Sequence, residues 1–192
     1  MGKEALIGFF QKANMASSSI TEVTDQFQNK VILRNQFLLT EGILSDEYFL
    51  LEKGFMRAFA IDTEGNEVTT NFYFENQAVF EVSSFFMRTK SRENIQALTD
   101  CEGWVISYAG LNRLFHSLPE FRDFGRSVLV KSFSDLKTRM LSMITETAEE
   151  RYASLLKTSP EIFRYAPLKN IASFLGITDT SLSRIRKEFS KK

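Results

Sequence analysis

The hydrophobic pattern of the chain changes its period near Ala109. Before that point, from about residue 30 to residue 110, short runs rich in aromatic residues are separated by glycine turns. An example is Tyr48 to Glu52, followed by Lys53-Gly54 and then by Phe55 to Ile61. Strands and tight turns at such spacing are typical of an antiparallel sandwich or barrel. After Ala109, apolar residues recur at steps of three and four, which indicates helices.

The most extended helical pattern runs from about Glu120 to Thr145. Its apolar stripe consists of Phe121, Phe124, Val128, Leu129, Phe133, Leu136, Met140 and Met143, with Ser132 among them. A helix of about 26 residues spans about 39 Å, which exceeds the core of a small domain. We therefore expect its far half to pack against a second copy of the chain. The alternative is a core helix that lies against the sheet.

Shorter helices are predicted on both sides of these blocks. In the N-terminal segment, residues 4 to 29, a serine break at residues 17 to 19 precedes a helix from Ile20 to Gln28. Leu111 to Leu118 forms another short helix. A further helix, Thr147 to Lys157, begins with Thr147 and Glu150 at the spacing of a capping box.

The last helical pair, Pro167 to Phe189, has the form of a helix-turn-helix. Pro167 occupies the expected first helical position, where its missing N–H costs nothing. Gly176 follows the apolar face of the first helix and is free to adopt a positive φ at the helix end. Thr178 is a suitable N-cap for the second helix. Leu182, Ile185 and Phe189 then recur at helical spacing and face inward.

The outward face of this helical pair is rich in hydroxyl and basic side chains. Small hydroxyl residues at the start of a helix, followed by arginine, suit contacts to base edges and phosphates. The predicted DNA-contacting residues are Lys169, Thr178, Asp179, Thr180, Ser181, Ser183, Arg184, Arg186 and Lys187. The alternative is an ordinary helical hairpin with a solvated cationic tail.

The charge distribution favours DNA. The chain has 24 Lys and Arg, 24 Asp and Glu, and a formal net charge of +0. Residues 167–192 nevertheless hold six basic and two acidic residues, a local net charge of +4 that the remainder must offset. A neutral average therefore hides a basic C-terminal region, as expected for a phosphate-binding surface.

Other kinds of chemistry find little support. A single cysteine, Cys101, and a single histidine, His116, leave no intrachain disulfide, no cysteine-ligated cluster and no zinc site. Glycine-rich phosphate loops and nucleophile–base spacings are absent, so we predict no enzyme and no metal. No apolar run approaches the roughly 18 residues that span a bilayer. Since the N-terminus also lacks the apolar core of a signal peptide, we expect a cytoplasmic protein without a membrane partner.

The order of these segments resembles the Crp/Fnr family of bacterial transcription regulators, over nearly the whole chain. The resemblance depends on Phe49 to Gly54, Ile95 to Glu102, Ile106-Ser107-Tyr108 and the helix-turn-helix. Two further stretches, Ala148 to Tyr152 and Ile171 to Ile177, look like a branch of the family seen in Bacteroidetes-type bacteria.

The resemblance implies an α+β fold. Residues 1–118 correspond to a cyclic-nucleotide-binding-like jelly roll (a double-stranded β-helix) with flanking helices, residues 119–145 to a dimerisation helix, and residues 146–192 to a helix-turn-helix domain. Because the chain ends soon after Phe189, that domain is expected to lack a full wing. The implied partners are DNA, a second copy, RNA polymerase and a small-molecule effector of unspecified identity.

Within the second helix, Asp179, Thr180, Ser181 and Arg184 match positions where such regulators contact bases and phosphates. Asp179 departs from the pattern if a basic residue is usual there. A carboxylate repels a phosphate but can accept a hydrogen bond from a cytosine amino group.

The effector region departs further from the family pattern. Members that bind cyclic AMP use a Gly-Glu pair for the ribose and an Arg-Ser pair for the phosphate. Counted back from Ile106-Ser107-Tyr108 without gaps, these pairs fall on Phe80-Glu81 and Ser91-Arg92. A phenylalanine blocks close backbone approach, and transposition within a strand turns the guanidinium to the opposite face. We therefore expect no cofactor and no control by cyclic AMP.

Alternatives remain at this site. A bulge would restore the register of Ser91 and Arg92, and Glu81 and Arg92 can equally form an ion pair at the rim. An apolar effector, or none, suits the local aromatic residues, which are equally consistent with a plain core. These residues are Phe72, Phe74, Phe80, Phe85 and Phe86.

Two functions follow. The first is a homodimeric regulator that binds a two-fold symmetric operator. The alternative is a small-molecule sensor module whose terminal helices bind a protein partner. DNA binding through several cations weakens steeply with added salt, whereas a mainly apolar protein contact does not.

Overall fold

The computed structural model describes residues 3–11 and 15–190 of the chain. These residues form eight strands and nine helices in the order predicted, with a strand-rich block followed by helices. The strands are β1 Gln28–Ile32, β2 Phe37–Leu39, β3 Glu47–Lys53, β4 Met56–Ile61, β5 Glu67–Tyr73, β6 Gln77–Val79, β7 Asn94–Ala97 and β8 Cys101–Ser107. The helices are α1 Glu4–Gln11, α2 Ser17–Asp25, α3 Val82–Met87, α4 Tyr108–Ser117, α5 Pro119–Thr145, α6 Ala148–Thr158, α7 Ile162–Tyr165, α8 Leu168–Leu175 and α9 Asp179–Phe189.

The strands form two four-stranded sheets, with orders β1-β8-β3-β6 and β2-β7-β4-β5. All paired strands are antiparallel. The interior between the sheets is a cluster of buried side chains that includes Phe49, Met56 and Ile95. Alternating residues of facing strands supply such a core in any sandwich. The predicted α+β fold with an antiparallel β-roll, a long helix and a C-terminal helical domain is confirmed. No strand occurs among the described residues beyond Ser107.

Some predicted boundaries were wrong. Helix α2 begins at Ser17 rather than at Ile20, because Ile20 N donates to Ala16 O and the serines occupy the first turn. Hydroxyl residues favour such positions at a helix start. Gln28 belongs to strand β1, where it pairs with Val105 of β8.

Strand β8 ends at Ser107, whose hydroxyl accepts from Gly110 N at 3.2 Å. This N-cap starts helix α4 at Tyr108, three residues before its predicted start. Pro167 is the N-cap of α8, with ψ of 144°, and the helix begins at Leu168.

Helix α5 has the predicted extent, and its two halves differ in environment. Phe121 and Gly125 in the first half are buried in a cluster with α1, α2 and α4. In the second half, Phe133, Leu136 and Met140 are exposed. The alternative of a core helix that lies against the sheet is therefore wrong for the second half of α5 in the single chain, since its apolar face is left open.

A third apolar cluster joins the β-roll to the C-terminal helices. Phe55, Phe72 and Leu98 of the roll pack in one buried group with side chains of α6 to α9. Phe72 lies 5.0 Å from Phe174 of α8, centroid to centroid. The helix-turn-helix is thus packed directly on the sheet that contains β5. The predicted domain bounds at residues 118 and 145 stay predictions.

Candidate DNA-binding surface and effector region

The turn between α8 and α9 has the geometry predicted for a helix-turn-helix. Gly176 has φ of 68°, in the left-handed region, and an added Cβ there would lie 2.4 Å from Met143 Cε. Ile177 N donates to Ala172 O at 3.0 Å and closes the end of α8. Thr178 Oγ1 accepts from Ser181 N at 3.2 Å, which confirms Thr178 as the N-cap of α9.

The inward faces of the two helices form a small core. Ile171, Leu175, Leu182 and Ile185 are all buried. The ring of Phe189 lies 5.0 Å from that of Tyr152 on α6, so the last turn of α9 is also packed. This packing fixes which face of α9 points outward.

The outward face carries most of the predicted DNA-contacting residues. Thr180, Arg184 and Lys187 are exposed and follow each other at helical spacing on α9, and Ser183 and Arg186 are exposed beside them. Arg184, Arg186 and Lys187 form no ion pair with any other described residue. Their charge is therefore available to a phosphate or a base edge.

The remaining predicted DNA-contacting residues differ in how exposed they are and in whether their side chains are already hydrogen-bonded. Lys169 is exposed on the first turn of α8, and Thr178 is exposed although its hydroxyl is used in the cap. Ser181 is half-buried and its hydroxyl lies 3.1 Å from Thr178 Oγ1. Asp179 is exposed in the first turn of α9, where a carboxylate stabilises the positive end of the helix dipole. Lys191 and Lys192 of the basic region lie outside the described residues.

Two arginines were missed by the sequence analysis. Arg151 donates Nε and Nη2 to Leu175 O at 3.1 and 3.0 Å. Arg139 donates Nη2 to Phe174 O at 3.1 Å. Arg139 carries a signal in the sequence, because it stands three residues after Leu136 and four before Met143 and so adds a cation to an apolar stripe. Nothing in the sequence indicates the backbone atoms that either arginine reaches.

In the effector region, Phe80 and Glu81 come together at the start of α3. Phe80 is buried, with its ring 4.8 Å from Tyr48 and 5.5 Å from Phe85. The Glu81 carboxylate is the N-cap of α3 and accepts from Ser83 N at 3.0 Å and from Ser84 N at 2.5 Å. The first amides of this helix are thus satisfied within the chain.

Ser91 and Arg92 are placed differently from the prediction. They lie in the segment between α3 and β7, not in a strand, so the argument from strand alternation was wrong. Ser91 is buried, and its hydroxyl donates to Glu93 O at 2.7 Å and accepts from Glu93 N at 3.0 Å. Arg92 is exposed. The alternative of a Glu81–Arg92 ion pair was also wrong, since no such pair exists among the described residues.

Glu81 and Glu93 influence each other electrostatically beside this segment, which also contains the cations Arg88, Lys90 and Arg92. Burial raises the pKa of Glu93, the neighbouring Glu81 carboxylate raises it further, and Arg139 opposes both. Burial also raises the pKa of Tyr73 to about 12, and Glu93 and Glu81 act in the same direction. The aromatic residues Phe72 and Phe74 pack on the helix-turn-helix rather than around a ligand space.

Known proteins resemble this chain in sequence and in fold. The family model of the cyclic nucleotide-binding domain matches residues 29–117. The transcriptional activator Anr of Pseudomonas protegens is 24% identical over 176 residues, which cover 85% of this chain and 71% of that protein. A Crp/Fnr-family protein from Eubacterium rectale has the same fold, with a TM-score of 0.73, 16% identity, and coverage of 92% of this chain and 84% of that one. FixK2 of Bradyrhizobium japonicum gives a TM-score of 0.74 at 15% identity, with 86% and 85% covered.

These findings define a Crp/Fnr-type architecture, with a cyclic nucleotide-binding domain followed by a C-terminal helical domain. The predicted resemblance to that family is confirmed, and the curated relatives, which are transcriptional activators, support the general prediction of a DNA-binding transcription regulator. The Bacteroidetes branch stays a prediction. The relatives named here are regulators rather than enzymes. In the part of the chain that the structure describes, none of the helices has the length and apolar character of a membrane crossing.

Proposed function

We propose that this chain acts as a homodimer that binds a two-fold symmetric DNA operator through the exposed face of α9. The observation that carries the proposal is the row formed by Thr180, Arg184 and Lys187, whose outward direction is fixed by the buried Leu182 and Ile185. A helix with hydroxyl groups near its start and cations further along suits the major groove. We also propose that the protein is cytoplasmic and has no enzymatic activity.

The dimer is proposed to form through α5. Leu129, Phe133, Leu136, Met140 and Met143 alternate at steps of four and three, the spacing of a coiled-coil seam. Phe133 is 69% exposed and Leu136 is 63% exposed in the single chain. An apolar stripe of this length on an otherwise polar helix face requires a partner, and a second copy offers the same stripe.

We propose that cyclic AMP does not control this regulator. Glu81 caps α3 instead of facing a ribose, Phe80 fills the position of the glycine, and Arg92 points into solvent. We also propose that the protein contacts RNA polymerase, as the resemblance to the family implies. The proposal does not extend to small-molecule effectors of other chemical classes.

The test of DNA binding is selection from a random DNA pool with the wild type, Arg184→Ala and Lys187→Ala. The wild type is expected to enrich a symmetric sequence with half-sites about 34 Å apart. Arg184→Ala is expected to cost about 1–3 kcal/mol and to blur one base pair of each half-site. Lys187→Ala should weaken all sequences alike and lower the salt slope by about one unit.

Two results would overturn the proposal. One is a wild type that enriches no symmetric sequence. The other is an Arg184→Ala variant that selects the same sequence with unchanged affinity. Binding of a protein instead of DNA by the terminal helices, with little dependence on salt, would favour the sensor-module alternative.

A further inference from the structure

One side chain of α5 holds the helix-turn-helix at the C-terminal end of α8. The last carbonyl groups of any helix lack intrahelical partners, and cations are favoured there by the helix dipole. Arg151 satisfies Leu175 O from α6, which belongs to the same group of C-terminal helices. Arg139 satisfies Phe174 O at 3.1 Å from the long helix α5 instead. Arg139 thus connects the helix-turn-helix to another part of the molecule.

The same guanidinium also reaches the β-roll. Its Nη1 donates to Thr70 O and its Nη2 to Thr69 O at 3.5 Å, both on β5. Its central carbon lies 4.0 Å from the centroid of the Phe174 ring. Three elements, α5, β5 and α8, therefore meet at one half-buried side chain. The planar guanidinium spreads its donors over several nitrogens and so reaches these acceptors together, whereas lysine carries all its donors on one nitrogen.

Further contacts between α8 and β5 surround Arg139. Ser173 Oγ accepts from Thr69 N at 3.1 Å and donates to Thr69 Oγ1 at 3.0 Å. Phe72 and Phe174 pack beside this pair. Burial lowers the pKa of the Arg139 guanidinium, and the charge of Glu93 acts in the opposite direction. The contact between α8 and β5 thus has hydrogen bonds at its centre and the ring pair of Phe72 and Phe174 at one side.

We propose that Arg139 is a positioning residue for DNA binding, which fixes each helix-turn-helix on its own β-roll so that both α9 helices of a dimer meet their half-sites together. The inference rests on the proposed function as a DNA-binding dimer. In the arrangement that Arg139 holds, Thr180, Arg184 and Lys187 are all exposed, so the held state is open to DNA. A loosely attached helix-turn-helix would have a lower effective concentration at the second half-site, and simultaneous binding would weaken.

The experiment compares Arg139→Gln with Arg126→Gln on two DNA duplexes. One duplex carries both half-sites of the selected operator and the other carries a single half-site. Arg126 lies on the same helix, is 77% exposed and pairs with Asp123 on the surface, so its replacement removes the same charge without touching α8. Arg139→Gln is expected to weaken binding to the two-site duplex about tenfold and to leave single-site binding unchanged. Arg126→Gln should leave both unchanged.

Hydrogen exchange provides the second readout. In Arg139→Gln the amides of α8 and β5 are expected to exchange faster, while those of β1 and β8 keep their wild-type rates. An equal loss on both duplexes, or no loss on either, would overturn the positioning role. Full two-site affinity in Arg139→Lys would show that charge alone suffices and would also overturn it.

Thr69→Val covers the case in which Arg139→Gln fails to fold. It removes the Thr69–Ser173 hydroxyl contact and keeps the side-chain shape. We expect it to weaken binding to the two-site duplex less than Arg139→Gln does, and to leave single-site binding unchanged. If the wild type binds neither duplex, the proposed function fails and the role in DNA binding fails with it. The exchange measurement then still decides whether Arg139 holds α8 on β5.

Discussion

The assembly of the protein can be tested at Leu136. This residue is 63% exposed in the single chain and lies in the apolar stripe of α5. Full burial of a leucine is worth about 2 kcal/mol, so burying the exposed part contributes about 1.3 kcal/mol per copy and about 2.5 kcal/mol per dimer. Leu136→Glu removes this gain and places two carboxylates against each other, each of which resists desolvation. A total loss of about 4 kcal/mol corresponds to about a thousandfold weaker dimer.

Sedimentation velocity over a range of concentrations measures this change. The wild type is expected to be dimeric at micromolar concentration and Leu136→Glu to be monomeric with an unchanged circular dichroism spectrum. Thr138→Glu is the matched control, because Thr138 is exposed on the opposite side of α5 and its carboxylate stays in water. A monomeric wild type, or equal dissociation constants for the two glutamate variants, would refute dimerisation through α5.

Three smaller predictions concern the turn, a cap and the effector region. Gly176→Ala should destabilise the fold by more than the about 1–2 kcal/mol of left-handed strain, because Met143 must also move. Thermal melts should show a smaller effect for Gly65→Ala, where φ is also positive but no atom lies within 4 Å. Hydrogen bonds to Thr147 lower the pKa of Glu150, so the stability it contributes is present above its unfolded pKa and is lost as pH falls through the folded pKa. Melts across acidic pH should show a flatter profile in Glu150→Gln than in the wild type. Calorimetry with cyclic AMP and cyclic GMP should show no heat, and low-micromolar binding of either would contradict the interpretation of Phe80 and Glu81.

The elements predicted well are those with strong local signals. Gly176 at a helix end, Thr178 before α9 and the spacing of Leu182 and Ile185 determine the helix-turn-helix within about twenty residues. The long helix α5 is equally local, since a sustained period of three and four needs no distant partner to be seen.

The elements missed depend on distant partners. Strand β1 lacks a clear alternation and is a strand because it pairs along its length with β8, whose residues are 69 to 77 positions further along the chain. The positions of Ser91 and Arg92 could be found by counting along the sequence, but the sequence did not show that they lie outside a strand, where the Ser91 hydroxyl bonds to the backbone of Glu93. Arg139 is visible as a cation in an apolar stripe, yet its acceptors lie on β5 and α8.

The two candidate regions differ in how their polar groups are used. In the effector region, the Glu81 carboxylate is committed to the amides of α3 and the Ser91 hydroxyl to the backbone of Glu93. Groups satisfied within the chain must first be released before they can bind a ligand, which costs free energy. On α9, in contrast, Arg184 and Lys187 are exposed and form no ion pair with the described residues. Because exposed cations without an ion-pair partner have no internal contact to give up on meeting a phosphate, we expect recognition by this chain at α9 rather than at the effector region.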